Sequence, residues 1–249
     1  MRNELYVRRV WIVAPVVKEI ATMCQPIPPP ASGVDEYFHD DPALISFIDT
    51  VNGIRTAETT PSSIVQAITP HFTNLMNTPG WLPDEFMEPK EGSGMGSGIG
   101  MWLLYRAGDG GLAFSSLVVP SGASTPVHDH LAWGLVGLYR GEQDEEVFDR
   151  TDDGSSEKAA TLESIEQRAL KPGDLYELMP ENDIHQVTTT SAVTSVSLHL
   201  LGNDNGCIWR HRFHPEEHRV EPFKSGWLNV PCVTETADEN AQIKSGAAG

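Results

Sequence analysis

The chain is short of positive charge and of cysteine, and it lacks long apolar runs. Its 249 residues include 17 Lys and Arg against 35 Asp and Glu, a formal net charge of −18. Phosphate backbones and anionic lipid surfaces need clustered Lys and Arg, so neither nucleic acid nor membrane is an expected partner. Three cysteines, Cys24, Cys207 and Cys232, stand far apart without a CxxC pair. That spacing suggests neither a disulfide framework nor a thiolate zinc site, and a reducing cytoplasm is the expected compartment. Near the N-terminus the apolar run from Val10 to Val17 is interrupted by Lys18 and Glu19 before any small-residue cleavage site, so it reads as an arm rather than a leader. No stretch reaches the roughly 18 apolar residues of a membrane span.

What is present is enough apolar material, 39% of residues, for one barrel or sandwich domain with appendages. Residues 1–40 form the arm, ending in a stiff PIPPP connection. Residues 41–97 carry two helix signals packed on the barrel. Asp41-Pro42 precedes Leu44, Phe47, Ile48 and Val51, and Thr60-Pro61 precedes Ile64, Val65, Ile68 and Phe72, with Pro70 predicting a kink. The segment Gly92–Gly100 misses the GxGxxG spacing and reads as a flexible connector. From residue 98 to 215 short β-rich runs alternate with Gly, Pro, Asn and Asp turn signals, which predicts a sandwich or barrel. Residues 216–249 make a tail whose acidic, Gly/Ala-ending part after Pro231 reads as poorly ordered.

The chemistry is concentrated in histidines. In TPVHDHLAWG, His128 and His130 stand two apart in a strand-like stretch, which puts both imidazoles on one face and Asp129 on the other. Such a pair can chelate one ion, although an HxH pair also arises by chance. Gly122, His128, His130 and Gly141 reproduce every spacing of the first cupin motif, G-x5-H-x-H-x3-E-x6-G, with Gly134 where the glutamate ligand would stand. Pro180 to His185 is similar to the second motif, P-x-G-x-x-H, with Asn182 for its glycine. The resemblance implies a mainly β fold, the cupin double-stranded β-helix or jelly-roll barrel with an N-terminal helical segment, and His128, His130 and His185 as metal ligands. Three imidazoles without a carboxylate suit Fe(II) with open positions for a bidentate substrate and dioxygen. Imidazole also suits other divalent metals, so the identity of the ion stays open.

The stretch Thr125 to Glu142, the Trp81-Leu-Pro-Asp-Glu-Phe86 junction, Ser197-Leu-His199-Leu and Gly202 to Arg210 together resemble the bacterial thiol dioxygenases, cupins that include cysteine and 3-mercaptopropionate dioxygenase. The resemblance implies an oxidoreductase that converts a small thiol carboxylate, like 3-mercaptopropionate, cysteine or mercaptosuccinate, to its sulfinate with O2. It implies Ser197 and His199 as a catalytic relay beside the iron and Arg210, eleven residues beyond His199, as the substrate-carboxylate anchor. The residues themselves leave alternatives: a satisfied buried polar pair for Ser197 and His199, and a surface arginine for Arg210. The chain departs from the family pattern at Leu201, where the relatives have tyrosine, and at Met101, where they have Arg or Gln. Gly134 also excludes a thioether crosslink. These departures keep open a metal-dependent cupin acting on a non-thiol small molecule and a non-catalytic cupin that binds a small acid. His211, His214 and His218 read as surface residues, and Trp209 and Trp227 as exposed aromatics that could serve a homo-oligomer.

Overall fold

Two proline-led helices prepare one flank of the barrel. The Asp41 carboxylate accepts from the Ala43 amide, and the Thr60 hydroxyl accepts from the Ser63 amide. Each cap precedes a proline whose missing N–H would have had no helical partner anyway. The helices α1 (Pro42–Ala57) and α2 (Pro61–Met76) follow directly. Helix α2 runs through Pro70 as one element, so the expected kink does not divide it. The computed structural model describes residues 32–179 and 183–232. The N-terminal arm up to residue 31, residues 180–182 of the second motif and the acidic tail after residue 232 lie outside the described residues.

Among the described residues twelve strands follow or flank these helices: β1 (Glu36–Tyr37), β2 (Gly100–Arg106), β3 (Ala113–Val119), β4 (Val127–His128), β5 (Gly134–Arg140), β6 (Gln143–Arg150), β7 (Leu162–Leu170), β8 (Leu175–Leu178), β9 (Ile184–Thr189), β10 (Ser195–Leu201), β11 (Arg210–His214) and β12 (Arg219–Phe223). They form two six-stranded sheets, in the orders β1-β2-β3-β10-β5-β8 and β12-β11-β4-β9-β6-β7. All strand pairings are antiparallel. The fold is mainly β, a cupin-like jelly roll with a helical N-terminal segment, as the motif spacing implies.

Strands β3 and β10 are buried along their whole length because both of their faces are covered. On the outer face the helices contribute Phe47 and Phe72, which meet Phe114 of β3, and the Trp81 ring stacks on Phe114 as well. Burying each such ring stabilises the fold by roughly 1.5–3 kcal/mol, so the helices are bound to the sheet by this cluster. The inner face of β10 carries Ser197, His199 and Leu201, which face the barrel interior.

Three expectations need correction. Cys207 and Cys232, 25 residues apart, form a disulfide with their Cα atoms 5.3 Å apart. Sequence distance hid this proximity, which arises because the segment after β12 folds back across the loop after β10. The pairing removes the ground on which a reducing compartment was expected. Trp227 is buried, with its indole N–H donating to Asp204 at 2.8 Å, whereas Trp209 is 39% exposed. The glycine-rich segment 92–100 is built of turns that bury Met95 and Ile99. Among the described residues no helix is long and apolar enough to cross a membrane.

Candidate metal centre

The structure brings His128, His130 and His185 together in the barrel interior, with one ligand atom of each within 4.8 Å of the others. His128 ends β4 and pairs in register with His185 of β9, which places their rings side by side. Strand β4 is only two residues long, so the expected alternation carries no further than His128. His130 reaches the same space from the bend that follows, where Leu131 takes a φ of 54°. The ring centroids of the three histidines lie 4.8–4.9 Å apart.

Each imidazole is held by its Nδ1. That of His128 lies 2.8 Å from the Pro126 carbonyl, that of His130 2.8 Å from Asp183 Oδ1, and that of His185 2.8 Å from Glu145 Oε1. These acceptors place the ring proton on Nδ1 and leave the Nε2 lone pair for a cation. His185 Nε2 is buried and has no partner among the described residues, which is the vacancy expected of a ligand atom. Burial first, then the Arg210 charge and the neighbouring rings, pushes His128 well below the usual histidine range. Burial likewise lowers His130, with His185 and Arg210 adding to it. Both imidazoles are therefore neutral and able to coordinate. The donor set fits a divalent transition metal.

The sequence misses the two carboxylates. Glu145 comes from β6 and is tied on its far side to Arg168 at 3.2 Å, while Asp183 also accepts from the amides of His130 and Leu131. A cation on the three rings thus sits one hydrogen bond from two acidic side chains. Burial and the nearby Asp129 raise the Asp183 carboxyl, against the two amide donors. Asp129, between the first two histidines, is no ligand: it accepts from the backbone N–H of His211 at 2.7 Å and meets His211 Nδ1 at 2.5 Å. His211 is consequently buried, not a surface residue.

Gly134 explains why no glutamate joins the ligands. A Cβ built there would lie 2.4 Å from Leu201 Cδ2 and 3.1 Å from the Leu200 carbonyl oxygen. Gly134 and Leu201 are register partners across β5 and β10, so the leucine fills the space that a larger residue at 134 would need. The departures at 134 and 201 are two halves of one packing solution.

His199 and Arg210 line a small cavity beside His128 and His130, whose walls also include Met95, Met101, Leu201 and Asn205. The Ser197 hydroxyl and His199 Nε2 are 2.9 Å apart, and the His199 ring centroid is 6.5 Å from that of His130. Burial, followed by the charge of neighbouring histidines and Arg210, keeps His199 neutral. Arg210 is not a surface residue, being 1% exposed. Its Nη1 donates to the Asp129 carbonyl at 2.7 Å and its Nη2 to the Ser225 hydroxyl at 3.0 Å, while Nε is buried without a partner. Burial lowers its pKa to about 10, opposed by Asp129 and Asp183, so it is charged at neutral pH. Met101 occupies the wall where the family pattern has a polar residue.

A scan against protein-family models finds none that matches. Among solved structures, the chain is similar to a cupin 2 conserved barrel domain protein from Salinispora arenicola, at 15% identity over 51% of this chain and 92% of that one, with a TM-score of 0.35. It is similar to a cupin 2 domain-containing protein from Halorhodospira halophila at 17% identity over 60% and 79%, TM-score 0.33. A recombinant oxalate oxidase in complex with glycolate matches at 17% identity over 39% of this chain, TM-score 0.31, and the chain spans 45% of that protein's length. At these scores the likeness decides neither family nor activity. The chain's own two-sheet barrel and three-histidine cluster define a cupin-like fold with a candidate metal centre.

Proposed function

We propose that this chain is a non-haem Fe(II) thiol dioxygenase-like enzyme that converts a small thiol carboxylate and O2 to the sulfinate. The observation that carries the reading is one interior cavity lined by His128 and His130 of the three-histidine cluster, by His199 with Ser197 behind it, and by an Arg210 whose Nε has no partner. The net change is RS⁻ + O2 → RSO2⁻, in which sulfur is oxidised and both oxygen atoms are retained. His128, His130 and His185 would hold an Fe(II), which would supply Lewis acidity toward the thiol and one-electron redox chemistry toward dioxygen. Arg210 holds the substrate carboxylate through charge and its free Nε–H, which orients the thiol end toward the histidines. Neutral His199, backed by Ser197, holds or moves a proton at the substrate as the thiol ionises. Met95, Met101, Leu117 and Leu201 exclude water from the cavity.

Leu201 favours a second reading, since it offers no hydroxyl where the family pattern has one: a metal-dependent cupin acting on a non-thiol small acid. Oxygen uptake by anaerobically Fe(II)-loaded protein separates the two. The panel is 3-mercaptopropionate, cysteine, mercaptosuccinate and cysteamine, with His185→Ala as control. Uptake with the acids, weaker with cysteamine and lost in the variant, supports thiol oxidation with Arg210 as anchor. Silence across the panel with iron bound refutes it and leaves the non-thiol reading.

A further inference from the structure

We infer that Asn205 is a specificity-determining residue of the metal cavity, its Oδ1 accepting a hydrogen bond from an O–H or N–H that the substrate carries beside the group held by Arg210. The inference rests on reading this cavity as the substrate pocket.

Asn205 is 2% exposed and lines the cavity with Arg210 and the histidines. Its amide orientation follows from its neighbours. The His130 carbonyl accepts from Asn205 Nδ2 and from Asn203 Nδ2, both at 3.2 Å. Turning the Asn205 amide over would set two oxygens against each other, so Nδ2 is the end turned to the backbone. Oδ1 is left without a partner among the described residues. Asn203 Oδ1 is also without one but is sealed in protein, whereas Asn205 Oδ1 is not among the sealed atoms. The residue lines the cavity, and Oδ1 is assigned to that side.

The charges and donors already in the cavity say what this acceptor is for. Arg210 presents only donors, which suit a carboxylate. A carbonyl oxygen nearby repels a carboxylate and is satisfied by a donor on the adjacent carbon. The preferred ligand class is therefore a short 2-hydroxy or 2-amino acid, with a 3-thiol in the case of the proposed reaction, over the same acid without the donor. A plain mercapto acid would leave Oδ1 desolvated and unpaired, and that asymmetry is what gives a site selectivity.

The test is calorimetric binding to the full chain loaded with Zn(II), which holds the site without redox chemistry. Two ligand pairs are compared, lactate with propionate and 3-mercaptolactate with 3-mercaptopropionate. Because a hydroxyl can also touch the metal, the quantity read is the affinity ratio within a pair for the wild type divided by the same ratio for Asn205→Ala. One neutral hydrogen bond predicts a quotient of roughly three- to tenfold. Asn205→Leu, which keeps the side-chain volume, is expected to agree. Asn203→Ala removes the parallel bond to the His130 carbonyl without touching the acceptor and is expected to leave the ratio at its wild-type value.

A quotient within twofold of one overturns the inference, as does an equal collapse in Asn203→Ala, which would make the effect structural. If the mercapto acids fail to bind while the lactate preference still depends on Asn205, the thiol reading falls and this one stands. Failure of all four ligands overturns both.

Discussion

Replacing Gly134 by alanine tests whether Gly134 and Leu201 are one packing unit. The added methyl would sit 2.4 Å from Leu201 Cδ2, about 1 Å inside ordinary contact, with the β5 and β10 backbones fixed by their ladder. Overpacking of this kind costs about 1–3 kcal/mol. Leu201→Ala removes a side chain that is 2% exposed and packed with Val136, Leu138, Tyr176 and Leu178, and costs about 2–5 kcal/mol. In the double variant the new methyl enters space the leucine has left, and what remains is the Leu200 carbonyl at 3.1 Å and an ordinary contact with Leu178 Cβ at 3.6 Å. The double variant should thus be about as stable as Leu201→Ala alone, a coupling of about 1–3 kcal/mol in favour of the pair. Urea unfolding of the four metal-free proteins, with a shared slope, measures it. Additivity within about 0.5 kcal/mol would refute the argument, because it would mean the two positions do not compete for the same volume.

Glu145→Gln keeps the shape beside His185 but removes the carboxylate, so metal affinity should fall by about 10- to 100-fold, read by competition with a chelator. Cys232→Ser opens the Cys207–Cys232 loop and should lower stability by about 3 kcal/mol, with no effect of reductant on the melting of the variant. Burial raises Asp152, but the Arg150 side chain and the amides of Thr161 and Gly154 outweigh it and hold the carboxyl at about 2. The folded value lies below the unfolded one, so this stabilisation is present above pH 4 and is lost as pH falls toward 2. Asp152→Asn should flatten that part of the stability curve, and an unchanged acid limb would remove Asp152 from the account.

Much of this was legible because it depends on neighbours in sequence. Asp41-Pro42 and Thr60-Pro61 start helices through contacts two and three residues away. The short β-rich runs between turn residues mark a barrel, and motif spacing singles out His128, His130 and His185. Such features are local propensity and period, which a chain carries wherever it lies.

The rest arises from residues that meet only when the sheets close. Glu145 stands 40 positions from His185 and Asp183 stands 53 from His130, and nothing in their local sequence separates them from the chain's many other acids. His211 and Arg210 sit in a basic cluster that reads as surface, yet the pairing of β11 with β4 buries both beside Asp129. Cys207 and Cys232 become partners only through the fold-back after β12. The sequence alone determined the barrel, its helices and three candidate ligands. The tertiary structure decided which acids hold those ligands, why Gly134 excludes a fourth, and which way Asn205 faces. Those are matters of volume and of hydrogen-bond partners brought from distant strands, and they have no local signature.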